Sequence, residues 1–443
     1  MQSSKQSSGV TGANQPAHSP AVLRAALLVL ILLHIAVCCL SLVKVADYQS
    51  YMPYDRQHLF AAIVLVAAFS VVSPLFAFSR FSFGYFVGFY LYTMVLGFLW
   101  LTRFTQFHYD TNLAAASAAA SAMLFLLPAL LIQRPFRQVF VPSRRNFERL
   151  LAAILALTVA TIFYASIYSF RLSSLAHIYE YRDEIQLPTV PRYLIGIVTN
   201  ALLPFAFAAY LALRSYGKAT VTLLLFPFFY PILLSKLVLF APAWILGLAI
   251  VSRWFEARMI VISSLLAPLL LGVVLIVFLA HGHAYPYFNY VNIRMMATPS
   301  SALDFYNDFF AHHPYTHFCQ VSVVRLFTGC LYQEPLAIVM QDTYRIGNLN
   351  ASLFATEGVA SVGLILAPLA AFACGLVIAI GNKASSGLPA RFILISGAVM
   401  PQLLLNVPLT ITLVSYGAAL LFLLWYITPR TIFEQSDMSR DVT

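Results

Sequence analysis

Twelve apolar runs, each close to the length of a bilayer crossing, follow one another along this chain with short polar breaks between them. A membrane-spanning helix needs roughly 20 mostly apolar residues, because hydrocarbon tolerates only a backbone that hydrogen-bonds to itself. The runs fall at about 22–43, 59–79, 82–101, 112–132, 150–170, 193–213, 219–234, 237–252, 259–280, 356–380, 391–406 and 409–427. This pattern predicts an all-α polytopic membrane protein with about 12 transmembrane helices. Composition agrees: 61% of residues are hydrophobic and 9% are charged, against about a quarter charged in soluble domains. The two short runs on either side of Ser235-Lys236 also fit one broken or re-entrant element.

Residues 1–21 are polar and rich in Ser, Gly and Gln, and read as a disordered tail. No small-residue cleavage site follows the first run, so it reads as a retained span. Spans one to nine then occupy 22–280, a large loop 281–355, spans ten to twelve 356–428, and a tail 429–443. Basic residues flanking the spans set the orientation. Arg134, Arg137, Arg144, Arg145 and Arg149 mark a cytoplasmic segment, and alternation places both termini on that side as well. The cytoplasmic side then carries 16 Lys+Arg and 5 Asp+Glu, the opposite side 10 Lys+Arg and 11 Asp+Glu. Eight of the ten histidines fall on that opposite side. Cytoplasmic loops are short, so chemistry or recognition is expected at the outer face.

Several function classes are unsupported. The chain has no CxxC, no zinc spacing, no phosphate-binding G-x-x-x-x-G-K-[ST] loop and no G-x-S-x-G elbow. The net charge of +10 needs no nucleic acid, because cytoplasmic basic residues face anionic lipid. Cys38, Cys39 and Cys374 lie in apolar runs as small hydrophobes, whereas Cys319 and Cys330 share the large loop and can pair if it faces an oxidising space. His281-x-His283 and His312-His313 lack helical spacing and a third ligand, so no metal and no cofactor is expected.

Four constellations carry chemistry. Arg171, Arg182, Arg192, Arg294, Arg325 and Arg345, with Lys236, lie on the side where positive residues are normally depleted. A guanidinium fork fits phosphate oxygens, so a lipid-linked pyrophosphate is a fitting partner; pairing with Glu180, Asp183, Glu184 and headgroups is the plainer account. Tyr179-Glu-Tyr181-Arg182-Asp-Glu184 sets three acids around one arginine, either as a solvated face or to hold a diphosphate and a sugar hydroxyl. Lys236 sits between apolar stretches, where it must snorkel or meet an anion. Arg345-Ile-Gly-Asn348-Leu-Asn350 runs into Glu357-Gly358 and Gly363, so polar side chains enter a span among small residues that permit close helix approach. Asparagine amides suit sugar hydroxyls, and Glu357 or His313 is the candidate base. Within the loop, Ser300-Ser301 are expected to cap a short helix bearing Asp304 and Asp308 on a wet face, with Phe305, Phe309 and Phe310 against the membrane surface.

In order and placement, Tyr179-Glu-Tyr-Arg182, Ser235-Lys236 and Asn348-x-Asn350 running into Glu357-Gly and Val362-Gly363 resemble segments of the bacterial O-antigen polymerase and oligosaccharide repeat-unit polymerase family. The similarity covers roughly residues 150–380. It implies a metal-independent inner-membrane glycosyltransferase of the GT-C type. Such an enzyme transfers a glycan from undecaprenyl pyrophosphate to another lipid-linked repeat unit at the periplasmic face. Arg182, Arg294, Arg345 and, secondarily, Lys236 would hold the pyrophosphate, Tyr181, Asn348 and Asn350 the sugars, and Glu357 or His313 the proton. The resemblance also implies a chain-length regulator as partner, beside the lipid-linked oligosaccharide and membrane lipids.

The related O-antigen ligases usually carry a histidine where this chain has Asn348 and Asn350, which weakens a ligase reading. A transferase using a monosaccharide phospholipid donor would use Asp47 and Asp55, but their loop is short. A flippase fits twelve spans, although the halves do not repeat. An assembly subunit is the remaining alternative.

Overall fold

The computed structural model describes residues 20–173, 187–279, 281–347 and 349–433. Among the described residues there is no strand, and nine helices are long and apolar enough to cross a membrane. They are Pro20–Ala46, Arg56–Phe78, Phe83–Leu101, Thr111–Leu131, Arg144–Ser166, Thr189–Ala212, Tyr216–Leu233, Ala257–Phe278 and Phe354–Ser385. Each lies within a few residues of an apolar run. The run at 237–252 forms a shorter helix, Lys236–Val251.

The last two runs are not continuous helices. They divide into Ala390–Ser396, Met400–Leu404, Leu409–Val414 and Ala418–Ile427. Pro408 supplies no backbone N–H and disfavours helical geometry at Val407. Gly417 turns the chain at φ +78° before the final helix.

Phe83–Leu101 is the axis of the molecule, and every one of its residues is buried. A helix that is apolar all round belongs in the interior, and here Pro20–Ala46, Thr111–Leu131, Ala257–Phe278 and residues 289–312 surround it. Leaving lipid gives an apolar side chain no hydrophobic gain, so packing and interhelical hydrogen bonds hold spans together, at about 0.6 kcal/mol for an average bond. His34 bonds Thr93 at 2.9 Å, Ser73 bonds Tyr92 at 2.9 Å, and Tyr90 bonds Ser264 at 2.9 Å. Asn382 ties three spans at once: its amide nitrogen donates to the Ala129 carbonyl at 2.7 Å, and its oxygen accepts from the Gly84 N–H at 2.7 Å.

The stretch expected to be a loop begins with a helix wedged into the bundle. Residues 281–312 are helical throughout, as His281–Phe288, a π-helical stretch Asn289–Ala297, and Thr298–His312. Asn292 donates to the Ser41 hydroxyl and the Leu269 carbonyl, both at 2.9 Å. Ser300 does not cap a helix; its hydroxyl donates to the Met94 and Met296 carbonyls at 2.9 Å. Gly97 makes this approach possible, because a Cβ there would lie 2.3 Å from Ser300 Oγ. Ser301 bonds the Thr298 carbonyl. Phe305, Phe309 and Phe310 are buried within the protein, so the expected interfacial helix, wet on one face, is instead an interior element.

Beyond it lie Ser322–Thr328 and Leu336–Tyr344, with a Cys319–Cys330 disulfide whose Cα atoms are 5.1 Å apart. These elements, with the wedge, define the loop face of the molecule. The opposite face carries Arg80, Arg134 and Arg137 and is called the basic face.

Candidate functional site

π-helical stretches widen a helix by one residue per turn and are frequent at functional sites. Three occur among the described residues: Val198–Leu202, Asn289–Ala297 and Phe354–Val359. Pro204 and Pro299 each follow two residues after one of them. A proline ring clashes with the carbonyl four residues earlier, and the widened turn relieves that clash. The second stretch carries Arg294 and the third carries Glu357, two of the residues nominated from the sequence.

Glu357 is 5% exposed. Its Oε1 accepts from the Thr410 backbone N–H and hydroxyl, both at 2.9 Å, and its Oε2 accepts from the Thr356 hydroxyl at 2.6 Å. Every donor is neutral, and no ion pair to Glu357 forms among the described residues. A carboxylate held in place by neutral donors and facing a cleft is positioned to accept a proton from a hydroxyl. Thr410 comes from the short helix Leu409–Val414 that follows Pro408, so the interruption of the last run delivers the carboxyl's main partner.

The carboxyl faces a cleft of ≈ 80 Å³, enough for two or three waters. Asn350, Thr356, Glu357 and Thr410 contribute its polar wall, and Tyr306 comes from the wedge. Phe318, Gln320, Val321 and Pro335–Ala337, which also line it, flank the two ends of the disulfide loop. That lining is anchored to the membrane helix by backbone bonds from Thr316 N to Ala360 O at 2.7 Å and from His317 N to Ser361 O at 3.2 Å. The helix bends at Gly363, φ +73° and ψ 173°, where Tyr315 lies against it. The structure therefore brings Glu357 and Asn350 together, as the sequence suggested.

Two of the nominated cations lie at neighbouring positions along the wedge. Lys236 Nζ donates to the Tyr290 hydroxyl at 3.1 Å and lies 4.3 Å from the ring centroid. Arg294 is exposed one turn beyond Tyr290 on the wedge. Burial pushes the Tyr51 hydroxyl above its ordinary range, and the Arg294 charge opposes that shift. A lysine, an arginine and two phenols thus share one corner of the loop face, a donor set suited to a phosphate group.

Two other nominated residues, Arg345 and His313, are not gathered there. Arg345 is exposed, in left-handed geometry at φ 56°, at the end of Leu336–Tyr344. His313 stacks on Phe309 at 3.9 Å, and its Nδ1 donates to the Phe309 carbonyl at 2.9 Å, leaving Nε2 as the acceptor nitrogen. His313 does not line the Glu357 cleft. Tyr181, Arg182 and Asn348 lie outside the described residues. Among the described residues no three His, Cys, Asp or Glu side chains are placed to share a metal ion.

A second polar cluster was not anticipated as a site. Asp304, 4% exposed, accepts from the Thr105 hydroxyl at 2.8 Å and from the Tyr109 hydroxyl. Asp308 accepts from the His108 N–H at 3.1 Å and the Tyr344 hydroxyl at 2.6 Å. Burial pushes the Asp304 carboxyl up to about 7, with Asp308 adding to the shift and the two hydroxyl bonds opposing it. The sequence did place both acids on one helix face, but Thr105, Tyr109 and Tyr344 come from distant segments. Thr410 had a visible signal, a polar residue beside Pro408 in an apolar run.

No protein family, curated protein or solved structure matches this chain.

Proposed function

We propose that this protein is a metal-independent membrane glycosyltransferase that polymerises lipid-pyrophosphate-linked oligosaccharide repeat units at its loop face. The observation that carries the reading is the pairing, on one face, of a cationic corner with a buried carboxyl: Lys236, Tyr290 and Arg294 on one side, Glu357 with Asn350 on the other. In the reaction, an acceptor sugar hydroxyl attacks the anomeric carbon. The bond from that carbon to the pyrophosphate oxygen breaks, and the electron pair leaves with the pyrophosphate. Lys236 and Arg294 receive the developing negative charge. Glu357 takes the hydroxyl proton, and Asn350 orients the sugar. Arg345, Arg182, Tyr181 and Asn348 are the further candidates for substrate contact, and His313 Nε2 is the alternative proton acceptor.

The loop face is the outer, periplasmic face of the bacterial inner membrane in this reading, with both termini cytoplasmic. The Cys319–Cys330 pairing supports it, because disulfides persist in oxidising compartments. The partners are the lipid-linked oligosaccharide, membrane lipid and a chain-length regulator.

One observation favours a second reading, a carrier of lipid-linked oligosaccharide: interrupted membrane helices meet at Glu357, an arrangement common in transporters. The surface polysaccharide of a deletion strain separates the readings when complemented with intact protein, Glu357→Gln or Lys236→Ala/Arg294→Ala. Polymerase action predicts loss of long chains while single repeat units remain attached to the lipid core. Loss of a general base costs roughly 10²–10⁴-fold in rate, enough to abolish long chains. Lipid-linked polymer left unattached in the membrane indicates a ligase. Repeat units stranded facing the cytoplasm indicate the carrier. An unaltered chain-length distribution in both variants removes the assigned residues from the mechanism.

A further inference from the structure

The basic face carries a feature that the glycan chemistry does not use. Between the Arg56–Phe78 and Thr111–Leu131 spans the surface opens into a groove of ≈ 430 Å³. Val71, Leu75, Phe78 and Leu131 form its apolar wall, and Arg80 and Gln133 stand at its mouth. It exists because the first of these spans breaks after Ser70 and restarts at Pro74 as a short helix ending at Phe78. Val71, Phe78 and Leu131 are 77%, 62% and 69% exposed. Such exposure is ordinary beside lipid, but the concave shape is not required for it.

The groove and its mouth differ in chemistry at the level where both spans end. Apolar residues line the part alongside the spans, and arginines begin where the spans stop, the level of lipid headgroups. Arg24 packs over the Phe78 ring at 5.1 Å. Arg80 and exposed Arg134 form no ion pair among the described residues. The nearby acid Glu256 is already engaged, by Arg258 at 2.8 Å, and Arg258 in turn donates to the Ser79 carbonyl at 2.9 Å. The volume lies within the roughly 300–1,000 Å³ of small-molecule sites. A ligand that fits must therefore join an apolar tail to an anion, and guanidinium groups select phosphate oxygens for that anion.

We propose that this groove binds one anionic phospholipid, with an acyl chain along Leu75 and Leu131 and the phosphate at Arg80 and Arg134. The inference is independent of the reaction assigned to the loop face. It is tested by native mass spectrometry of delipidated full-length protein titrated with phosphatidylglycerol, phosphatidylcholine of the same chains, or a polyprenyl phosphate. The expected result is one tightly held phosphatidylglycerol, preferred over phosphatidylcholine, and weakened about tenfold in Arg80→Gln/Arg134→Gln. Leu131→Trp, which fills the groove and leaves the charges alone, should weaken it as well. Arg144→Gln/Arg145→Gln, on the same face but away from the groove, should leave it unchanged. Equal weakening by that control pair overturns the proposal in favour of diffuse surface attraction. Equal binding of phosphatidylcholine, or displacement of the phospholipid one-for-one by polyprenyl phosphate, overturns it too.

Discussion

Asp304 is the side chain whose behaviour departs furthest from its type. A carboxyl exposed to water ionises near 3.8, and burial under Thr105 and Tyr109 moves this one to about 7. The groups facing it are Asp308 on its own helix, Tyr109 and Thr105 from the preceding interhelical loop, and Arg103, whose charge acts on Tyr109. Asp308 in turn holds Tyr344. A raised carboxyl pKa means that the folded state binds the proton more tightly than the unfolded state does. Its contribution to stability is complete below pH 3.8 and is lost as pH rises through about 7. The loss amounts to a few kcal/mol for a group this buried. Asp304→Asn cannot ionise, so the thermal stability of the purified protein should decline less between pH 4 and pH 7 than that of the parent. An identical decline in parent and variant would mean that Asp304 is ionised throughout.

At the scale of elements, the informative features are interruptions. Gly363 holds φ +73° and ψ 173°, a region essentially closed to residues with a Cβ, and a Cβ there would lie 2.7 Å from the Tyr315 ring. Tyr315 is 40% exposed, so its ring can swing aside; the backbone cannot. Gly363→Ala should therefore cost about 1–3 kcal/mol, read as a lower aggregation temperature in detergent, and Tyr315→Ala should not rescue it. Full rescue would assign the strain to the ring. Continuous helices were legible in the sequence to within a few residues, because hydropathy reports them directly. Interruptions were not, because they depend on partners. Gly363 was read as a residue permitting close approach, yet its backbone angle follows from the docking of residues 315–317. The 281–312 wedge was read as part of a loop holding one short interfacial helix after Ser300-Ser301, since His281, Tyr285, Tyr287, Arg294 and Asp304 dilute its hydropathy. What admits it is Gly97 on another helix, which no local pattern reports. Glu357 and Lys236 were singled out in the sequence because a polar side chain entering an apolar run has few explanations. Thr410 and Tyr290 were missed because each acts as the partner of another residue.

At the scale of the whole molecule, polarity is distributed by face. The loop face holds the cleft, the Lys236–Tyr290–Arg294 corner, the disulfide and the Asp304 cluster, whereas the basic face holds Arg80, Arg134, Arg137 and the lipid groove. The polymerase reading depends on which face meets the cytoplasm, so sidedness is the most consequential property to measure. The native cysteines leave a quiet background for labelling: Cys38 and Cys374 are buried, Cys39 is half-buried in a span, and Cys319 and Cys330 are bonded. Gln341→Cys introduces an exposed thiol on the loop face, away from the disulfide; Val139→Cys, at a residue 87% exposed, does the same on the basic face. If the protein lies in a bacterial inner membrane as proposed, a membrane-impermeant maleimide applied to cells with only the outer membrane permeabilised should label Gln341→Cys and leave Val139→Cys unlabelled until the inner membrane is opened. The basic-residue bias predicts this outcome, since Lys and Arg are retained on the cytoplasmic side. The reverse labelling would place the Glu357 cleft where nucleotide-activated sugars are available and the disulfide where thiols stay reduced. In that case a donor carried on lipid at the outer surface could not reach the cleft, and the polymerase reading would fall with the orientation.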